Sequence, residues 1–139
     1  MIQWGRATLT VLSETTDPDI VTQLLGLDPS EVWRKGELLR SGRVRTHHGW
    51  SLDVGTLDNT ELDQTGTRAL RELLDRCTAA AGRVADLPED CEARIWWSAS
   101  SDSSQGGFVL PFELAAQIGE LGVDVYATVY LAEGDESDD

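Results

Sequence analysis

Cysteine is nearly absent from this sequence: Cys77 and Cys91 are the only two in 139 residues. Neither has a cysteine or histidine nearby at metal-ligand spacing, and one pair does not make the disulfide framework of a small secreted domain. Both are expected to be buried thiols. Long apolar runs are missing as well. No stretch approaches the roughly 18 residues of a membrane span, and Met1-Ile2-Gln3-Trp4-Gly5-Arg6 leads into no apolar segment with a cleavage site. A cytoplasmic location without membrane contact is the expectation. Basic charge is the third shortage. Lys and Arg total 11 against 25 Asp and Glu, a formal net charge of −14. Repulsion from phosphate backbones and anionic membranes argues against nucleic-acid binding and favours a basic protein partner.

What is present describes one globular domain. Hydrophobic residues make up 40% and charged residues 26%, a globular rather than a disordered composition. Five carboxylates and no base close the chain from Glu133 to Asp139. Such a segment cannot bury apolar surface, so a single α/β domain over 1–132 followed by a disordered acidic tail over 133–139 is expected.

From Trp4 to Ser13, Ala7, Leu9 and Val11 alternate with Arg6, Thr8 and Thr10, the period of a strand with one buried face. Asp17-Pro18-Asp19 reads as a helix start, Ile20, Leu24 and Leu25 as its inward stripe, and Gly26 as its stop. Asp28-Pro29-Ser30-Glu31 repeats the capping logic and predicts a single helical turn anchored by Val32 and Trp33. Gly36 and Ser41-Gly42 mark turns. Arg43 to Leu57 reads as one or two antiparallel strands, expected as a hairpin, with Trp50, Leu52 and Val54 on one face. If that stretch is extended, His47 and His48 point in opposite directions.

Thr60-Glu61-Leu62-Asp63 fits a capping box ahead of the major helix, which runs from about Thr60 or Thr67 to Ala81. Leu70, Leu73, Leu74, Cys77 and Ala81 form its inward face. Glu92 to Ser98 is a strand with Ile95 and Trp97 on one side and Arg94 and Trp96 on the other. A polar loop from Ser100 to Gly107 follows, and Phe108-Val109-Leu110 is a short return strand or the approach to a helix. Pro111 opens the third helix, with a spine of Leu114, Ile118 and Leu121 and a stop at Gly122. Val123 to Leu131 alternates as a last strand. The sum is an α/β (α+β) two-layer sandwich. Its mixed, largely antiparallel sheet has about five to six strands, with three helices mainly on one face.

Four stretches also carry a likeness. They are Leu24-Leu25-Gly26-Leu27-Asp28-Pro29-Ser30, Lys35-Gly36-Glu37, His48-Gly49-Trp50, and Gly107-Phe108-Val109-Leu110 with Leu121-Gly122-Val123-Asp124-Val125-Tyr126. In this order the chain resembles the bacterial family called domain of unknown function 4279, from the first strand through the last and excluding the tail. Pro111 stands where that family would place a small polar cap. The resemblance brings no biochemical role with it. It implies at most an immunity-like binding role, since such domains are encountered near toxin-immunity systems.

The residues set their own limits on function. Candidate binding residues fall in the polar, aromatic stretch from Asp28 to Trp50: Trp33, Lys35, Glu37, Arg45, His48 and Trp50. A hydrolase would use His48 as base, with Glu37 or Asp53 to orient it and Lys35 or Arg45 to stabilise an anion. No serine lies in a nucleophile elbow, and no catalytic set is assigned. Zinc needs three or four converging ligands, whereas the adjacent histidines diverge, so no metal or cofactor is expected. Lys35, Arg43 and Arg45 leave open a phosphate or small-ligand site, although Gly36 is not part of a phosphate loop. The leading expectation is a non-catalytic protein-binding domain, immunity-like toward a basic bacterial toxin. Trp33, Trp50, Trp96 and Trp97 are its possible aromatic anchors. Oligomeric state is left open.

Overall fold

The strand nearest the amino terminus, β1 (Ile2–Ser13), lies in the middle of the sheet, and its alternation decides which way the rest of the fold faces. A computed structural model describes residues 2–58, 67–102 and 109–131. Along the chain follow α1 (Pro18–Leu25), β2 (Glu31–Trp33), β3 (His48–Asp58) and α2 (Thr67–Arg76), then 3₁₀ turns at Thr78–Ala80 and Val84–Asp86. β4 (Glu92–Ser101), α3 (Phe112–Leu121) and β5 (Asp124–Leu131) complete it. The sheet order is β2-β3-β1-β4-β5. β1 runs antiparallel to β3 and β4, β2 runs antiparallel to β3, and β5 returns through α3 to lie parallel to β4. Among the described residues this is one mixed, open five-stranded sheet with three helices, the expected α+β fold.

Register explains the layering. Leu9 sits between Leu52 and Ile95, Val11 opposite Trp50, and Ala7 opposite Trp97, so these side chains share one face. That face packs against Val21 and Leu25 of α1, Leu70, Leu73 and Leu74 of α2, and Leu114 and Leu121 of α3. Full burial of a leucine such as Leu9 contributes about 1.5–3 kcal/mol, so this layer dominates stability. Cys77 joins it, and burial pushes its thiol up to about 11. Cys91 is only half-buried, short of the expected burial.

Several local expectations change. The Asp17 carboxylate accepts the Asp19 amide at 2.9 Å, and Gly26, in the left-handed region at φ 69°, closes α1 as expected. The buried stripe, however, is Pro18, Val21 and Leu25, while Ile20 is 40% exposed. Spacings of three and four residues define the face that meets β3, and Ile20 falls off it. The single turn predicted after Asp28 is instead the strand β2. Its Glu31-Val32-Trp33 pairs with Ser51, Trp50 and Gly49, because a free sheet edge satisfies more backbone groups than one isolated turn. The hairpin expected within Arg43–Leu57 lies between β2 and β3. Residues 43–47 stay outside the strand, tied by a bridge from Leu38 to Val44 and by the Gly36 amide, which donates to the Arg45 carbonyl at 2.9 Å.

α2 stops at Arg76 and tightens into a 3₁₀ turn, which buries Ala80 in place of Ala81. At three residues per turn, Ala80 lies directly beyond Cys77. Pro111 is the N-cap of α3 rather than its first residue, and Val109 and Leu110 are irregular and exposed. β5 forms where expected, but its burial does not alternate: Val125 alone is partly buried, because the strand is an edge. The capping box at Thr60–Asp63, the loop residues 103–107 with Phe108, and the tail 133–139 lie outside the described residues. No described helix is long and apolar enough to cross a membrane.

Candidate functional site

Alternation that sends Leu9 toward the helices sends Thr8, Thr10 and Leu12 to the opposite face. Register adds Gly49, Ser51 and Asp53 from β3, Glu92, Arg94 and Trp96 from β4, and Tyr126 and Thr128 from β5. The helices pack on the other side, so among the described residues this second face of the sheet carries no helical layer. Two guanidinium–aromatic clusters stand on it. At one end the Arg94 guanidinium lies 4.7 Å from the Tyr126 ring centre and 5.7 Å from that of Trp96, and the two rings are 5.1 Å apart at 41°. Glu92 holds Arg94 from the side at 3.3 Å. At the other end Arg45 lies 4.7 Å over the Trp33 ring. Such pairing fixes long cations over rings that remain accessible.

Glycine makes the second cluster possible. A Cβ on Gly49 would come within 1.9 Å of the Trp33 indole. The missing side chain lets Trp33 lie flat on β3 and face the solvent side of the sheet.

Between the clusters runs a groove. A cleft of about 510 Å³ is bounded by Thr10 and Leu12 on the floor, Glu14, Glu89, Asp90 and Glu92 along one wall, and His47, Arg94 and Trp96. A second hollow of about 350 Å³ is lined by Trp33, Leu39, Arg43 and Arg45, and it shares Leu12 and His47 with the first. The two hollows adjoin at Leu12 and His47, the first acidic toward β4 and the second basic toward β2. Asp90 is committed to the wall itself. Its carboxylate accepts the amides of Thr15 and Thr16 at 2.9 and 3.1 Å and both hydroxyls at 2.9 and 2.8 Å. These bonds, the Thr15 amide first, hold it well below the usual carboxylate range. Glu14 and Glu89 form no ion pair among the described residues, so their charge is free to meet a ligand.

The sequence-based site residues divide. Trp33 and Arg45 form the basic end of the groove. Lys35 and Glu37 are exposed in the turn beyond it, where the Glu37 carboxylate accepts the Arg34 amide at 3.0 Å. His48 lines neither hollow, and its Nδ1 accepts the Lys35 amide at 3.1 Å. His47 is the histidine that lines both. Trp50 is 0% exposed, and its indole N–H donates to the Thr22 hydroxyl at 3.0 Å, which makes it a core residue. Trp97 is likewise buried, while Trp96 is 45% exposed.

The carboxylates expected to orient His48 bond elsewhere, Glu37 to the Arg34 amide and Asp53 to Arg6, while Asp17 is the carboxylate that feels the His48 charge. Asp53 is ion-paired with Arg6 and accepts the Gly55 amide at 2.8 Å. Partial burial works upward on its carboxyl, but the Arg6 bond, followed by the Gly55 amide, leaves it below its ordinary value. Among the described residues no group of three or more His, Cys, Asp and Glu stands where it could hold a metal ion. Sequence reasoning missed Arg94, Trp96 and Tyr126 as one cluster. The exposed parity of Arg94 and Trp96 was readable, but their meeting with Tyr126 depends on the parallel β4–β5 register.

No curated protein and no solved structure matches the chain. Residues 3–132 match the family described as Domain of unknown function (DUF4279), and the chain belongs to that family.

Proposed function

We propose that this DUF4279 member is a non-catalytic protein-binding domain that takes a basic partner on its open sheet face. An immunity protein guarding a cytoplasm against a basic toxin would work in this way. The observation that carries the reading is the 510 Å³ cleft, which the unpaired carboxylates of Glu14 and Glu89 line together with Asp90 and Trp96. An exposed Trp–Tyr–Arg cluster is the residue set that anchors interfaces. A net charge of −14 supports it by steering a basic partner toward the surface and raising its association rate.

The test places a photo-crosslinking residue at Thr10, on the cleft floor, in cells that make the protein. A specific crosslink to a basic protein is expected, lost in Glu14→Lys with Glu89→Lys. The purified complex should weaken roughly 30-fold or more in Trp96→Ala, the loss of one anchor, and should also weaken with added salt. Absence of any specific crosslink, or an acidic partner indifferent to salt, defeats the reading.

A second reading has its own observation: Arg43 and Arg45 line the 350 Å³ hollow beside Trp33, a setting for a small anion or phosphate. Calorimetry with inorganic phosphate separates the two. Saturable binding abolished by Arg43→Ala with Arg45→Ala, and no protein crosslink, would favour the small ligand.

A further inference from the structure

The two edges of the sheet are unequal. β2 is three residues long and ends where the chain turns away. β5 is eight residues long, lacks proline and glycine, and carries a single charge at its first residue, Asp124. Among the described residues nothing pairs with its outer side. Natural sheets guard such edges with charge, proline or a bulge, and an unguarded one is a template for another strand. We propose that the chain forms a two-fold dimer in which β5 pairs antiparallel with β5 of a second copy, Thr128 meeting its own counterpart on the axis.

The sequence of the strand is self-complementary in that register. A two-fold that keeps the helices of both copies on one side of a continuous sheet requires residues of like parity to face each other. With Thr128 on the axis, Tyr126 faces Tyr130 of the second copy, twice over, on the open face. On the helical side Val125 faces Leu131 and Ala127 faces Val129. Aromatic pairs and Thr–Thr pairs are among the cross-strand combinations that stabilise antiparallel neighbours. The nearest alternative, with Ala127 on the axis, sets Tyr130 against Asp124 and separates the tyrosines.

Exposure fits the same reading. Tyr126, Val129, Tyr130 and Leu131 are 44%, 38%, 55% and 55% exposed on a strand whose other neighbour, β4, is already paired on both sides. With about half of the roughly 150–250 Å² of each tyrosine still exposed, the four tyrosines offer roughly 300–500 Å², to which Val129, Leu131 and the strand backbones add, the size of a weak, concentration-dependent interface. Trp96 already stacks on Tyr126, so the aromatic strip would continue into the second copy. The contact is isologous and uses up β5, leaving only the short β2 edges outward, so assembly closes at two.

This dimer does not depend on the proposed basic partner, and salt tells the two apart. Each copy carries −14, so self-association should tighten as salt screens the repulsion, whereas docking of a basic protein should loosen. Sedimentation of the full chain at about 100 μM in high salt should show a dimer. Thr128→Lys sets like charges face to face and should weaken it by roughly five- to tenfold, with an unchanged thermal melt at dilutions where parent and variant are both monomeric, because the position is exposed.

Thr128→Cys in a Cys91→Ser chain should oxidise to a covalent dimer, since directly opposite strand residues lie about 4.5–5.5 Å apart between Cα atoms, within disulfide reach. A chain that stays monomeric under these conditions overturns the proposal. So does a Thr128→Lys protein that dimerises like the parent, or an Ala127→Cys chain that cross-links in preference to Thr128→Cys.

Discussion

Leu9 and Thr10 are neighbours on one strand and belong to different parts of the molecule. Leu9 is wholly buried between strand neighbours and helices, whereas Thr10 floors the cleft. The helix-covered face holds aliphatic side chains and two tryptophans in close packing. The open face holds threonines, charges and ring–guanidinium clusters, with nothing helical above them among the described residues. Stability is concentrated on one face, which leaves the other free to carry polar and aromatic groups that a core would not tolerate.

The contrast can be broken most severely from the covered side. Leu9→Ala should cost about 2–5 kcal/mol by denaturant unfolding, while Thr10→Ala should stay within about 0.5 kcal/mol. Comparable losses from both would mean the open face is covered after all. Next in size is Gly49→Ala, where the new methyl displaces the Trp33 ring and should cost about 1–3 kcal/mol as an overpacked contact. It should also release Arg45 from Trp33, read as greater quenching of tryptophan fluorescence by a soluble quencher. An unchanged melt and unchanged quenching would show that Trp33 does not rest on β3.

Acid should act more gently, on the wall of the cleft. Asp90 is held low by its Thr15 and Thr16 bonds, and Asp17 is lowered to about 2 by the Arg34 guanidinium and then the Asp19 amide. A carboxylate whose folded value is depressed adds stability above its unfolded value, near 4, and loses it as pH falls through the folded one. The melting temperature of the parent should therefore exceed that of Asp90→Ala clearly above pH 5, with the gap narrowing steadily below pH 4. A gap that widens in acid would contradict the assigned bonds. Smallest of all, Arg94→Ala should cost no more than about 1 kcal/mol of stability, as expected for an exposed ring–cation contact. Its larger effect should appear in partner binding, measured by titration.

Much of the covered face was legible from residue order. Ala7, Leu9 and Val11, then Trp50 and Leu52, then Ile95 and Trp97 declare their shared side by period two, and Gly26 and Gly122 mark where helices stop. The site was legible only in part. Trp33 and Arg45 meet as a ring–cation pair, whereas His48 lines neither hollow, and Trp50, offered for binding although its alternation places it with Leu52, is buried. A strand is needed to orient two adjacent histidines, and β3 begins only at His48. The basic and acidic ends of the groove are also far apart in the chain, so no local pattern joins them.

By itself the sequence determined the alternation of β1, β3 and β4, the glycine stops of α1 and α3, and a surplus of carboxylates, because these depend on residues within a few positions of one another. Tertiary structure alone decided that β1 lies between β3 and β4, and that β5 returns parallel to β4 with Tyr126 beside Trp96. Strand neighbours are chosen by the burial gained when distant segments meet, against the entropy of closing the chain between them. That balance is a property of the whole fold, and it is what brings the acidic wall, the aromatic cluster and the free edge into one molecule.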